Sequence, residues 1–377
     1  MYYMKFYSLD NILKKKAIYN IIIGERSNGK TTACLRYALQ RYMKDGSQCA
    51  IIRRYREDFK RKRGAVLWNT LVSNGLGKNE VKEITKGKYD GIQYFSDRWY
   101  LTKYDEEHDK PVLAPEPFAY AFAISEAEHE KSTSFNKICV IIFDEMLTRD
   151  NYLPNEFILF TSLVSTIVRQ RGPDAGIKIF MLGNTVNMYA PYFSEMGLKH
   201  IQKMQQGTID LYKYGDTGLT VAVEYCESTQ KSGGKKSDVF FAFDNDRLKM
   251  VTTGIWELPA YPHNDIKYKP KDIKFIYFII WENNLLQCEI IQQGSNVFTF
   301  IHRKTTDLKD TDRDIIFDKD YHQQLNYLRN IAKPATKLGR KLWWFFQSDN
   351  VYYQDNEVGE LVNNYLKWCA SDTITTV

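Results

Sequence analysis

Four short, almost uninterrupted apolar runs mark the first half of the chain: Ala17 to Ile23, Cys49 to Ile52, Ile138 to Phe143 and Ile177 to Leu182. Strands covered on both faces of a parallel sheet need this character, because neither face meets water. Between the first two runs, Leu35, Ala38, Leu39 and Tyr42 recur at helical spacing within Thr31 to Lys44, which predicts a strand, loop, helix, strand unit. Asn155 to Gln170 is also helical in pattern and stops at Gly172-Pro173. A polar tract rich in Gly, Ser and Lys, Glu227 to Asp238, reads as a linker or mobile loop. Beyond it, Lys274 to Trp281, Leu285 to Gln292 and Val297 to Arg303 are β-rich and closely spaced, which predicts an antiparallel meander. A helix over Tyr321 to Ala332, a strand over Leu342 to Gln347 and a helix over Glu357 to Trp368 complete the expected elements.

The loop after the first run carries the chemistry. Gly24-Glu25-Arg26-Ser27-Asn28-Gly29-Lys30-Thr31 fills every fixed position of GxxxxGK[ST], after a predicted strand and before a predicted helix. There the glycines let main-chain N–H groups turn toward a β-phosphate at a helix N-terminus, whose dipole favours anions. Lys30 would add a point charge at the β/γ-phosphates, and Thr31, followed by Thr32, would offer its hydroxyl to Mg²⁺. The run ending at Phe143 delivers Asp144 at a strand's C-terminal end, where open α/β sheets hold ligands. Asp144 is expected to hold the metal through its water shell and Glu145 to serve as general base for an attacking water; a polar turn is the plainer alternative. Asn184 closes another strand and could sense the γ-phosphate, unless it is only a Gly-Asn turn. The expected ligands are ATP and Mg²⁺. Of Arg149, Arg169 and Arg171, the last is favoured as an arginine finger supplied to a neighbouring subunit, because the Gly172-Pro173 turn would expose it.

Composition narrows the setting. A chain of 377 residues exceeds one ordinary core of roughly 100 to 200 residues, so two domains are expected. The six cysteines include no CxxC spacing and no Cys/His metal pattern, which argues against a zinc site or a disulfide scaffold and fits reduced thiols. The first sixteen residues lack a continuous apolar core of the signal-peptide type, and no run approaches the roughly 20 apolar residues of a membrane span. The net charge of +6 favours a polyanionic partner only mildly. Its placement says more: Arg53, Arg54, Arg56, Lys60, Arg61, Lys62 and Arg63 crowd one stretch against only Glu57 and Asp58. At the end of the second strand such a cluster could grip phosphates without reading bases; a solvated loop is the alternative.

Three stretches, Ile21 to Thr32, Ala50 to Arg54, and Tyr120 to Glu126 running on to Phe143-Asp144-Glu145, resemble the DNA-packaging ATPases of small tailed phages of the phi29-like group. These lie within the ASCE class of P-loop ATPases that includes FtsK/HerA translocases and large terminases. The resemblance covers about the first 200 residues and is looser beyond. It implies an α/β fold with a mainly parallel sheet for residues 1–226, a linker or lid at 227–240, and a smaller α+β domain at 241–377 that looks like an RNase H-type nuclease. It also implies ATP hydrolysis coupled to translocation of double-stranded DNA by a homomeric ring, commonly a pentamer. The ring would dock on the portal of a procapsid in the host cytoplasm, with no membrane partner and, in this group, a structural packaging RNA as scaffold. In such motors a lysine upstream of the acidic strand and an arginine downstream act on a neighbour's ATP; Lys131 and Arg171 (or Arg169) hold comparable places. A working RNase H-type nuclease draws its first metal carboxylate from the middle of the opening strand. Here that strand, Lys274 to Trp281, contains no acid, so a vestigial, non-cleaving domain is expected. A helicase or conjugation-type ATPase, and a nucleotide-switched assembly protein, remain the competing readings.

Overall fold

Each of the four apolar runs is a strand, and together they form the middle of one sheet. They are β1 (Tyr19–Gly24), β2 (Gln48–Arg53), β7 (Ile138–Phe143) and β8 (Lys178–Asn184). The computed structural model describes residues 6–60, 62–73, 77–127, 135–169, 171–172, 175–228, 253–263 and 267–372. The expectations for Arg61, for Lys131 and for the polar tract from residue 229 onward lie outside those residues. With β3 (Gly91–Phe95), β4 (Arg98–Asp105), β6 (Ala119–Ala123), β9 (Thr208–Lys213) and β10 (Thr220–Tyr225), the sheet order is β3-β4-β6-β2-β7-β8-β1-β10-β9, and β5 (Lys110–Leu113) pairs with β4 off this path. The six strands from β6 to β10 in that order run parallel, and antiparallel strands flank them on both sides. Helix α1 (Lys30–Asp45) buries Ala33, Cys34, Leu35, Ala38 and Leu39 against one face. Gly46 at φ 73° ends it in the left-handed conformation that glycine adopts without a Cβ penalty.

The chain divides into two units: Met1–Arg149, Asn155–Met188 and His200–Trp256 in the first, and Asp150–Pro154, Tyr189–Lys199 and Glu257–Val377 in the second. The division past Trp256 differs from a boundary at residues 227–240. Residues just beyond the polar tract are fastened to the first unit, with the Tyr225 hydroxyl donating to the Gly254 carbonyl at 2.7 Å and the Tyr225 and Trp256 rings 6.0 Å apart.

In the second unit β11 (Ile273–Trp281), β12 (Asn284–Gln293) and β13 (Asn296–Arg303) make the expected meander. Its first turn places Glu282 and Asn283 at φ 49° and 61°, the doubly left-handed conformation that matches strand twist. β14 (Ile315–Asp318) and β15 (Tyr327–Leu328) add in parallel on the β11 side, and β16 (Val351–Tyr353) adds in parallel to β13. The sheet order in this unit is β15-β14-β11-β12-β13-β16.

Two expectations here are corrected. Leu342 to Gln347 is not a strand but the end of helix α3 (Lys337–Gln347), whose N-cap Thr336 hydroxyl accepts from the Gly339 N–H at 2.9 Å. The run of aromatics hid a helical period in which Gly339, Leu342 and Phe345 are buried while Trp344 is exposed. Tyr321 to Ala332 is not a helix, because Asn326 donates to the carbonyls of Thr311 and Asp314 and so fixes β15 beside β14. Helix α4 (Asn356–Ser371) follows where a final helix was expected.

Candidate nucleotide site

The C-terminal ends of β1, β8, β7 and β2 lie side by side, and each delivers a polar side chain. The P-loop strand β1 and the acidic strand β7 are not neighbours, since β8 runs between them. Asn184 therefore stands between the P-loop and the acidic pair. Gly24 ends β1 where a Cβ would come within 2.8 Å of the Cys226 Cβ, so only glycine lets the chain turn there. Ser27 at φ 62° and Gly29 at φ 94° complete the curl into α1. Within it, Asn28 is buried and its Oδ1 accepts from the Lys30 N–H at 3.2 Å. Glu25 is buried with its carboxylate on the Ser228 hydroxyl (2.9 Å), whereas Arg26 is exposed.

Lys30 is 6% exposed. Its Nζ donates to the carbonyl of Glu25 (2.7 Å), the carbonyl of Gly24 (3.4 Å) and Asn184 Oδ1 (3.3 Å). Among the described residues no carboxylate forms an ion pair with it. Burial pushes this ammonium below its ordinary pKa, while Asp144 and Glu25 pull it back up. Burying a cation without an anion is costly, so the geometry asks for an anionic ligand. The Thr31 hydroxyl donates to Asp144 Oδ1 at 3.1 Å, which puts the loop and the acidic strand in contact.

Asp144 is buried and Glu145 exposed. The Asp144 N–H donates to the Ile52 carbonyl (3.1 Å) and the Met146 N–H to the Leu182 carbonyl (2.8 Å), so the segment is tied to strands on both sides. Glu145 takes φ 64°, a left-handed conformation uncommon for a residue with a side chain. Arg53, which the sequence grouped with the basic segment, lies at this edge. As the last residue of β2 it reaches Asp144 Oδ2 at 2.6 Å and Glu145 Oε2 at 3.0 Å, and these two carboxylates hold its guanidinium above the ordinary pKa against the effect of burial. Its place next to β7 was the missing signal, and only strand order supplies that. Lys30, Thr31, Thr32, Arg53, Asp144, Glu145 and Asn184 all line one cavity of about 610 Å³, a size suited to a small-molecule ligand. Its backbone cradle, its unpaired ammonium and its hydroxyl–carboxylate pair fit a triphosphate with a hard cation such as Mg²⁺.

Most of the other described cations of the basic segment have partners within the fold. Arg54 is buried and forms a bidentate pair with buried Glu156 at the start of helix α2 (Glu156–Ile167), at 2.7 and 2.9 Å, while also donating to the Met146 carbonyl at 2.8 Å. Arg56 pairs with Asp97 and lies 3.7 Å from Glu126. Lys60 pairs with Glu57 (2.7 Å), Arg63 donates to the Glu57 carbonyl (3.3 Å), and Lys62 is exposed. Arg171 is not freely exposed either: its guanidinium donates to the carbonyls of Ile138 and Ile167, each at 2.6 Å. Ile138 begins β7, so Arg171 sits at the opposite end of the sheet from this chain's own P-loop; Arg169 is exposed.

In the second unit the carboxylates at the ends of the parallel pair β11 and β14 already have cationic or imidazole partners. Lys319 lies 3.4 Å from Glu282, and His322 Nε2 lies 2.9 Å from Asp318. Burial raises the Glu282 carboxyl above its ordinary pKa.

Comparison with known proteins places this geometry. The DNA packaging protein of Bacillus phage phi29 is 27% identical over 191 residues, 50% of this chain and 49% of that protein. The DNA packaging protein of Bacillus phage B103 is 29% identical over 190 residues, 50% of each. The aligned stretch thus spans about half the length of the curated relatives it matches. In fold, the chain is similar over 98% of its length to a chain of the Phi-28 gp11 DNA packaging motor, covering 99% of that chain with a TM-score of 0.57 and 17% identity. It is likewise similar to a chain of the bacteriophage Phi-29 viral genome packaging motor assembly, with a TM-score of 0.56, 19% identity, and 97% and 99% coverage. The family model described as podovirus DNA encapsidation protein (Gp16) matches residues 1–89 and 113–357, and the chain belongs to that family.

Proposed function

We propose that this protein is the ATPase of a phage DNA-packaging motor, hydrolysing MgATP to drive double-stranded DNA into a procapsid. The observation that carries the reading is the buried Lys30 ammonium, held by carbonyls and an amide oxygen with no carboxylate of its own among the described residues, at the mouth of a glycine-bracketed loop. Gly24 to Thr32 would wrap the phosphates, with Thr31 and Asp144 as the Mg²⁺ ligands, directly or through water; when bound, the ion neutralises charge on the phosphate oxygens. Glu145 is the general base. Arg53 holds both acids in position, and Asn184 reports on the γ-phosphate through the hydrogen bond it shares with Lys30.

The assembly in this reading is a homomeric ring, a pentamer, on the portal vertex in the host cytoplasm, with a packaging RNA as scaffold. Arg171 or Arg169, with Lys131, acts on the neighbour's nucleotide. The second unit is a non-cleaving RNase H-like domain, a role supported by the acid-free strand β11 and the partnered Glu282 and Asp318. Steady-state turnover tests the proposal. The parent protein should hydrolyse ATP faster with double-stranded DNA, and Glu145→Gln should lower kcat by about 10²- to 10⁴-fold. Parental turnover in that variant removes Glu145 as base, and slow turnover indifferent to DNA favours a nucleotide-switched assembly protein.

A further inference from the structure

Phe6 is 58% exposed. It is nevertheless held in one place. The next residue, Tyr7, donates its N–H to the Asn28 carbonyl inside the P-loop at 3.0 Å. The Tyr7 hydroxyl donates at 2.5 Å to Glu224, a largely buried residue on β10. These two anchors tie the segment across the sheet edge and lay the Phe6 side chain over Gly29, where an added Cβ would meet it at 3.3 Å. Phe6 also lines the 610 Å³ cavity that holds Lys30 and Asp144. The cavity extends well past the phosphate-binding residues. Leu67 and Thr70 contribute to it, as do Arg36 and Glu80, which face each other as a bidentate pair at 2.5 and 2.8 Å. Glu80 already meets the Arg36 charge, so this part of the lining offers apolar and neutralised surface suited to a flat, weakly polar group.

We infer that Phe6 is the stacking platform for the base of the bound nucleotide, and that the lobe bounded by Phe6, Leu67, Thr70 and the Arg36–Glu80 pair is a base subsite that prefers purines. An aromatic face attracts any base, and the two-ring purines overlap it most. Tyr7 is a positioning residue that keeps the platform at the P-loop. The inference rests on the P-loop reading above, and the test separates the two.

Equilibrium binding to the full chain in the presence of Mg²⁺ would be measured by calorimetry for ATP, GTP, CTP and inorganic tripolyphosphate. The parent should bind both purine nucleotides more tightly than CTP. Phe6→Ala should weaken ATP and GTP about tenfold, within the range found for removing one stacking partner. It should leave tripolyphosphate within twofold and erase the preference over CTP, and Phe6→Trp should restore both. Parental ATP affinity in Phe6→Ala, or equal loss of ATP and tripolyphosphate, overturns the platform. Should the parent bind neither ATP nor tripolyphosphate, the P-loop reading itself fails. Because Phe6 is exposed, the substitution leaves no core cavity, and an unchanged thermal midpoint would exclude misfolding as the cause.

Discussion

Two cationic stretches look alike in the sequence and differ in the structure. In the first unit, Arg53, Arg54, Arg56 and Lys60 each face a carboxylate, and the first two form the inner wall of the acidic edge. In the second unit, Lys337, Arg340 and Lys341 on α3, with Lys274 on β11, line an apolar cavity of about 700 Å³ together with Phe275, Ile290 and Leu342. The three α3 cations are exposed and have no ion-pair partner among the described residues. The first four cations of the denser run are thus paired within the fold, whereas the sparser group is open to solvent. Charge density along a chain reports potential partners only after internal partners have been subtracted, and the carboxylates that pair Arg53 and Arg54 lie about ninety and one hundred residues away in sequence.

The comparison breaks most visibly at Arg54. Truncating one member of a buried pair leaves the other charge without compensation, so Arg54→Ala should cost about 3 to 5 kcal/mol of stability. It should also loosen the loop carrying Glu145 and Met146, whose carbonyls the guanidinium holds. Urea unfolding of Arg54→Ala beside Lys341→Ala measures the contrast, since the exposed lysine should matter by less than about 0.5 kcal/mol. Equal destabilisation would mean that the two stretches do not differ in kind.

Binding to double-stranded DNA sharpens the same contrast from the other side. Replacing Lys337, Arg340 and Lys341 together with glutamine should weaken binding about tenfold or more and flatten the log–log salt slope by up to about 2.7, at about 0.9 per lost phosphate contact. Neutralising Lys60 and Lys62 should change that slope by less. If the order is reversed, the phosphate contacts belong to the basic segment after all, and its surface pair with Glu57 opens on DNA.

How much of this was legible beforehand follows from where each signal is stored. The P-loop, its flanking strand and helix, and the acidic strand are local patterns, and β7 has the bounds its apolar run predicts, Ile138 to Phe143. The meander was legible because two short turns fix its register. Strand order was not, since nothing local says that β8 separates β1 from β7 or that β2 adjoins β7. The pairing of Arg53 with Asp144 and Glu145 was hidden for that reason, as was the placement of Phe6 beside Gly29. Leu342 to Gln347 failed differently: six residues of mostly apolar side chains fit a buried strand and a half-buried helix equally well until the Thr336 cap is seen.

The smallest expected effect comes from a cation that is paired only while protonated. His302 on β13 lies 3.4 Å from Glu289 on β12, and the same carboxylate accepts from Tyr268 (2.7 Å) and Gln287 (2.6 Å). The hydrogen bond to Glu289 raises the imidazole above its ordinary pKa, against the opposing effects of burial and of Lys304. A pKa higher in the folded chain than the unfolded value of about 6.5 means that the pair's stabilisation is complete below that pH. It is then lost as pH rises through the folded value. The thermal midpoint should therefore fall slightly between about pH 6 and pH 8.5, and His302→Gln should flatten that fall while leaving the Arg54 contrast intact. A fall of the same size in His302→Gln would assign the pH dependence to another group and leave His302 as an ordinary partner of Phe300, on which its ring stacks at 5.8 Å.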